Sequence, residues 1–276
     1  MTVETAWPDE KSCAIFNRGR TRYYRTEVGL CPSVTTVLKV LGLSREALIA
    51  WSANEERKAT IEAAVAVRSV APESDAGFAA LIESRIGPVK QHLKLMSKAA
   101  DIGTQVHDMI RWRILQDITM GQGLGAHSQL SPVISDPAQW AFMAWEDWWK
   151  DSGLKPLRVE QPIYHPEHRY AGTIDLIAEG KDGLELWDWK TANGVYPEHH
   201  LQAAAYLFAA REFAPVARAR IGRLPKTVDD PKFEIVEVGK MDDRTLSEAN
   251  LQRAFLASLE AWRILCEMRS ATPEEK

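Results

Sequence analysis

The 276-residue chain predicts an α/β or α+β domain that carries a large helical elaboration in its first half. Three observations predict it. Helical patterns dominate from about residue 44 to residue 150. After Gly153 the order becomes β-β-β-α-β-β-α. Between them in importance stands the stretch AGTIDLIAEGKDGLELWDWKTA, residues 171–192, two apolar runs around a Lys181-Asp182-Gly183 turn that read as a hairpin. No internal repeat is present. Residues 1–276 read as one domain, with a helical region at 31–150 and an αβ core at 155–270.

Each element has its own signal. Residues 20–28 are rich in Tyr and Thr, stop at Gly29 and read as a short β segment. Ser44 is a cap for a helix to about residue 67, a second helix covers 78–86, and a third starts after Pro88 and runs, bent near Gly103, to 115. The glycine-rich stretch 119–136 reads as a loop. Asp136-Pro137 caps a helix carrying Trp140, Trp145, Trp148 and Trp149; core packing suits most of these indoles, and one of them can stack a base. Strands follow at 157–164, 170–178 and 184–189. Pro197 opens a helix, strands return at 218–224 and 233–238, and a last helix covers 244–268.

Composition narrows the function. Hydrophobic content of 45% supports a sizeable core, and 26% charged residues is ordinary for a globular protein. A net charge of −4 excludes a generally basic nucleic-acid coat but leaves room for a local cationic groove. Cys13, Cys31 and Cys266 form no CxxC pair, which predicts reduced thiols, a cytoplasmic setting and no zinc knuckle. No apolar run approaches the ~20 residues that span a bilayer, and the N-terminus carries no signal-peptide pattern, so no membrane association is expected.

The charged residues inside the hairpin need a reason. D/E-x-K occurs six times, and only Asp188-Trp189-Lys190 ends a strand pattern. Alternation puts Asp188 and Lys190 on one face above Leu186, and Trp187 and Trp189 on the other. Asp175, on the preceding strand, can be a cross-strand neighbour of Asp188. Two carboxylates near a core stay ionised only beside compensating cations, here Lys190 and a divalent metal; hard oxygen ligands favour Mg²⁺ or Mn²⁺. The alternative is a structural Asp–Lys pair on an exposed sheet face. Gly172 precedes Asp175 in GTID and permits close backbone approach. Gln202 and Tyr206 share a helix face at i,i+4. His107 sits in the helical AADIGTQVHDMI, either packed in the core or aimed at a metal. Glu160 is an accessory acid or a solvated strand residue. Ser33, Thr35 and Thr36 follow a proline at a helix start, where they cap the helix or hold a phosphate. Lys90, Lys94, Lys98, Arg111 and Arg113 line a cationic channel or an ordinary solvated face.

Together these segments resemble the PD-(D/E)xK nuclease superfamily in its RecB-like branch. The matching motifs are GTxxH (Gly103 to His107), GxxD (Gly172 to Asp175), DWK (Asp188 to Lys190) and QxxxY (Gln202 to Tyr206). CPSVTTVL, LIAWSANEERKATIEAA and SKAADIGTQVH are similar to segments of phage-encoded exonucleases of that branch and of the mitochondrial genome maintenance exonuclease, over about residues 31–210. Ile174 stands where some relatives have Pro, and the cysteines of iron–sulfur relatives are missing, so no cluster is expected. The resemblance implies a restriction-endonuclease-like core, a central mixed sheet flanked by helices. It implies metal ligation by His107, Asp175, Asp188 and the Trp189 carbonyl, with Mg²⁺ or Mn²⁺ as the ion. Lys190 would orient the attacking water and stabilise the transition state. Ser33, Thr35, Thr36, Lys98 and Thr104 would contact DNA, and Gln202 and Tyr206 would contact its backbone or steady the metal-bound water. A helical region of this size can arch over a site and admit only a single strand. The expected activity is a DNA exonuclease preferring single strands with a free end, in phage or bacterial DNA processing, recombination or repair, with a recombination or single-strand-binding protein as possible partner. A catalytically silent binding module and a structure-specific endonuclease are the alternatives.

Overall fold

The structure, a computed structural model, describes residues 7–19, 21–43, 45–70, 74–123, 130–225, 232–241 and 244–270. The expected helix cap at Ser44, the strand start at Arg20 and part of the expected loop, 124–129, lie outside the described residues. The N-terminal segment forms a three-stranded antiparallel sheet, β1 (Cys13–Arg18), β2 (Thr21–Thr26) and β3 (Gly29–Pro32), in spatial order 1-2-3. The sequence pattern predicts only the middle of it. In β1, CAIFNR, only Cys13 is buried, so no alternation marks that strand. A one-turn helix, α1 (Val34–Leu38), follows.

Backbone contacts divide the chain into two compact units, residues 42–104 and the remainder. The smaller unit holds α2 (Arg45–Val67), a 3₁₀ turn (Arg68–Val70), α3 (Asp75–Ile86) and the start of α4 (Gln91–Gly121). Glu56 on α2 accepts hydrogen bonds from the backbone N–H of His92 (2.9 Å) and pairs with its Nδ1 (2.8 Å), tying α2 to the first turn of α4. Ser74 caps α3 by accepting from the Gly77 N–H. α4 is helical without a break through Gly103 and ends six residues later than expected. One interior glycine costs a helix only ~1 kcal/mol, which its neighbours offset.

In the larger unit, α5 (Asp136–Asp151) starts after a cap at Ser135 rather than at Asp136, and Gln105 accepts from both the N–H and hydroxyl of Ser135. Then comes a five-stranded mixed sheet: β4 (Lys155–His165), β5 (Tyr170–Gly180), β6 (Gly183–Thr191), β7 (Val216–Leu224) and β8 (Glu234–Glu237), in spatial order 4-5-6-7-8. All neighbours are antiparallel except β6 and β7. A parallel pair needs a crossover, and α6 (Pro197–Ala210) supplies it. A small hairpin, β9 (Lys240–Met241) and β10 (Arg244–Thr245), occupies the expected start of the last helix. α7 (Glu248–Ser270) begins later because the Ser247 hydroxyl accepts from the Asn250 N–H.

The two faces of the sheet differ in kind. α1, α6 and α7 cover one, over Ile174, Leu186 and Ile221, with Phe255 contributed by α7. α5 covers the other with indoles: Trp145 lies edge-on to Trp189 (6.1 Å between centroids), Trp148 packs on Trp187 (4.9 Å), and Trp187 stacks on Trp189 (5.5 Å). Gly222 on β7 makes room, since a Cβ there would run into the Trp189 ring. Trp140 departs from the expected buried stripe and stands 48% exposed. Five residues before Trp145 on a 3.6-residue period, it points well away from the face that Trp145 and Trp149 share. Cys13 and Cys31 are buried thiols without a disulfide, and burial pushes Cys13 up to about 12. Among the described residues no helix is long and apolar enough to cross a membrane.

Candidate active site

Strand register assembles the carboxylates. Gly180 pairs with Gly183 across a two-residue turn, and the ladder runs to Leu176↔Trp187, so Asp175 and Asp188 are the residues next to its last pair, close enough for Asp175 to raise the Asp188 carboxyl. On the other side of β5, Val159↔Leu176 and Gln161↔Ile174 place Glu160 opposite Asp175. Glu160, Asp175 and Asp188 thus give an acid row, one member on each of three neighbouring strands. Glu160 has a left-handed backbone (φ 49°), an uncommon state for a residue with a Cβ and one that is often held at functional positions. His107 reaches the row from α4, with Nδ1 3.7 Å from Asp175 Oδ1.

Each group has a partner that fixes its role. The Trp189 backbone N–H donates to Asp175 Oδ2 (2.6 Å). Lys190 Nζ lies 2.6 Å from Asp188 Oδ2. That contact is a close ion pair whose angles do not make it a hydrogen bond, so buried Asp188 Oδ2 accepts no aligned hydrogen bond among the described residues. Gln202 Nε2 donates to Asp188 Oδ1 (3.3 Å) and to the Tyr206 hydroxyl (3.0 Å). The Tyr206 ring lies where a Cβ on Gly172 would be, which is the close approach that GTID permits.

The electrostatics follow from this crowding. Burial pushes Asp188 up to about 6; Lys190 pulls it down in part and Asp175 pushes it further up. Burial pushes Glu160 up to about 7, with Asp175 adding to the rise and His107 and Arg111 opposing it. Asp175 goes the other way: burial alone would raise it, but His107, Lys190 and the Trp189 N–H outweigh burial and hold it below the usual carboxylate range. Burial disfavours His107 cation, yet Asp175 and Asp188 outweigh it and raise the imidazole. A row of acids perturbed in opposite senses is a functional-site signature.

The donor set fits a divalent ion. Candidate ligand atoms of His107, Glu160 and Asp175 all lie within 4.8 Å of one another. One imidazole and two carboxylates suit Mg²⁺ or Mn²⁺. Asp188 stands outside that set and is held by Lys190 and Gln202. Glu160, expected as an accessory acid or a solvated strand residue, stands within reach of His107 and Asp175. Sequence spacing hides it, because the β4–β5 register shifts between Pro156 and Arg158 and only the folded ladder puts Glu160 beside Asp175.

The expected nucleic-acid contacts separate into groups. Gln202 and Tyr206 are in the site. Ser33 and Thr36 are buried; Ser33 Oγ accepts from the Thr36 N–H (3.1 Å) and Thr36 Oγ1 donates to the Arg22 carbonyl (3.2 Å), which is capping chemistry. Thr35 alone of the three is exposed. Lys98 and Thr104 are exposed residues of α4 in the smaller unit, where Thr104 Oγ1 donates to the Ala100 carbonyl.

No curated protein matches the chain. The model of the PD-(D/E)XK nuclease superfamily, however, matches residues 84–267, a span that includes His107, the three-strand acid row, Lys190 and α6. The chain belongs to the PD-(D/E)XK nuclease superfamily, and hydrolysis of nucleic acid with a divalent metal is the chemistry that membership brings.

Proposed function

We propose that this protein is an exonuclease of the RecB-like branch that degrades single-stranded DNA from a free end with Mg²⁺ or Mn²⁺, in phage or bacterial DNA processing, recombination or repair. The observation that carries the reading is the acid row with His107 on one side and the Lys190–Asp188 pair on the other. His107, Glu160 and Asp175 would hold the ion, with Asp188 and the Trp189 carbonyl next to them. When bound, the metal supplies charge neutralisation at the scissile phosphate and lowers the pKa of a water. Lys190 then contributes an ammonium that steadies negative charge as the phosphorus–oxygen bond breaks. Asp188 fixes that ammonium, and Gln202, by donating to Asp188 Oδ1, fixes the carboxylate. Trp189 orients Asp175 through its N–H.

The single-strand and free-end parts of the reading are supported by sequence: the likeness to phage exonucleases, and a helical region between residues 43 and 150 that is large beside the αβ core. The test offers end-labelled linear DNA strands, the same strands as RNA, blunt duplexes and covalently closed single-stranded circles, each with Mg²⁺ or Mn²⁺. Linear DNA strands should be degraded and circles spared. Rapid cutting of circles identifies an endonuclease, and tight binding without cutting of any substrate identifies a silent module.

A further inference from the structure

Beside Glu160 the larger unit contains a cleft of about 550 Å³ that the mechanism does not use. Its walls include Ile15 and Arg22 from the N-terminal sheet, Arg111 from α4, Glu160 and Thr173 from the central sheet, and Glu10. Arg22 and Arg111 are exposed; Arg22 interacts with the Tyr24 hydroxyl and Arg111 lies near enough to Glu160 to hold its carboxyl down in part. Arg113, two residues along α4, is different: it is engaged by Asp117 and Glu146. Ile15 is 56% exposed, a large apolar side chain standing in a charged cleft. Tyr24, its partner across the β1–β2 ladder, anchors this sheet to the central one through Thr173 Oγ1 (2.9 Å), so the cleft wall is fixed to the strand that carries Asp175.

We propose that this cleft is the path by which the strand adjoining the scissile phosphate lies on the protein, with Arg22 and Arg111 each taking a backbone phosphate and Ile15 supporting a sugar or base face. The inference rests on the nuclease reading above and adds where the substrate runs. Two exposed guanidinium groups in one cleft, Arg22 beside Tyr24 and Arg111 near Glu160, suit a phosphate backbone, which offers paired oxygens at regular spacing. An exposed aliphatic side chain in the same cleft suits the apolar face of a nucleotide. Glu160, the acid row's outer member, lines the cleft, so a strand held there arrives directly at the site.

The test measures binding of a fluorescent oligodeoxynucleotide with Ca²⁺ in place of the working metal, over a range of salt, for wild type, Arg22→Ala, Arg111→Ala and the double variant. Arg25→Ala is the control, since Arg25 lies on the opposite face of the same sheet over Phe16. Each cleft arginine should raise Kd by up to about fivefold and reduce the salt slope by about 0.7, the single-strand value for one phosphate. Arg25→Ala should change neither. Unchanged Kd and salt slope in the double variant, in a protein whose wild type cuts DNA, overturns the path and leaves the nuclease reading intact. A wild type that binds through Arg22 and Arg111 but never cuts supports the path and overturns the nuclease reading instead.

Discussion

Strand β6 presents two different environments in four consecutive residues. Trp187 and Trp189 point into the indole cluster under α5, where packing decides everything. Asp188 and Lys190 point toward α6, where a buried carboxylate, a cation and an amide determine one another's charge. The rigid, apolar side holds the strand still, so the polar side can keep an acid in a crowded, partly compensated state. The backbone joins the two, because the N–H that orients Asp175 belongs to Trp189.

The largest expected effect is on the apolar side. Trp189→Ala removes a fully buried indole and should cost about 3–5 kcal/mol of stability, measured as a fall in the denaturant midpoint. Its backbone N–H remains, so the folded fraction should still cut at low temperature. Loss of cutting in fully folded Trp189→Ala protein would mean the two sides are not separable.

Lys190→Ala is the complementary case. It should lower the single-turnover rate by about 10²–10³, the scale for losing one preorganised donor to the transition state, while the melting temperature and DNA binding stay close to wild type. A near wild-type rate would remove Lys190 from the mechanism.

Metal binding should depend on pH. His107 is raised and Glu160 is pushed up to about 7, and an ion held by these two with Asp175 would take both deprotonated. Mn²⁺ affinity should therefore rise by roughly tenfold or more between pH 5.5 and pH 7.5, which calorimetry would read. An affinity flat across that range contradicts the acid row as the metal site.

The smallest effect concerns Glu160 without metal. Its folded-state pKa lies above that of the unfolded chain, so its contribution is full below about pH 4.5 and is lost as pH rises through about 7. With chelator present, Glu160→Gln should gain on the order of 1 kcal/mol at pH 8 and nothing at pH 4.5. Equal denaturant midpoints for both proteins at pH 8 would show that the Glu160 carboxylate is not strained by its neighbours.

The site was legible in sequence wherever one local period governs it. Asp188 and Lys190 share a face because strands repeat every two residues, and Gln202 and Tyr206 meet because helices repeat near four. Asp175 followed from a short hairpin. His107, 68 positions earlier in the chain than Asp175, was placed by motif order and not by any local rule. Glu160 needed the register shift after Pro156, and Arg22 and Arg111 needed the cleft, both of which exist only once distant strands pair. In the fold, β1 and the β9–β10 hairpin were hidden for a similar reason. Their residues are largely exposed, so burial leaves little periodic trace.

The indole cluster also has an optical consequence. Trp145, Trp149, Trp148, Trp187 and Trp189 form a chain of neighbouring rings with centroids 4.9 to 6.0 Å apart, close enough for excitation to pass between them before it is emitted. Two of these rings belong to the same strand as Asp188 and Lys190. The protein's own ultraviolet emission and near-ultraviolet dichroism therefore act as a gauge fixed to the back of the active strand, able to register a bound ion or strand on the other side with no dye attached.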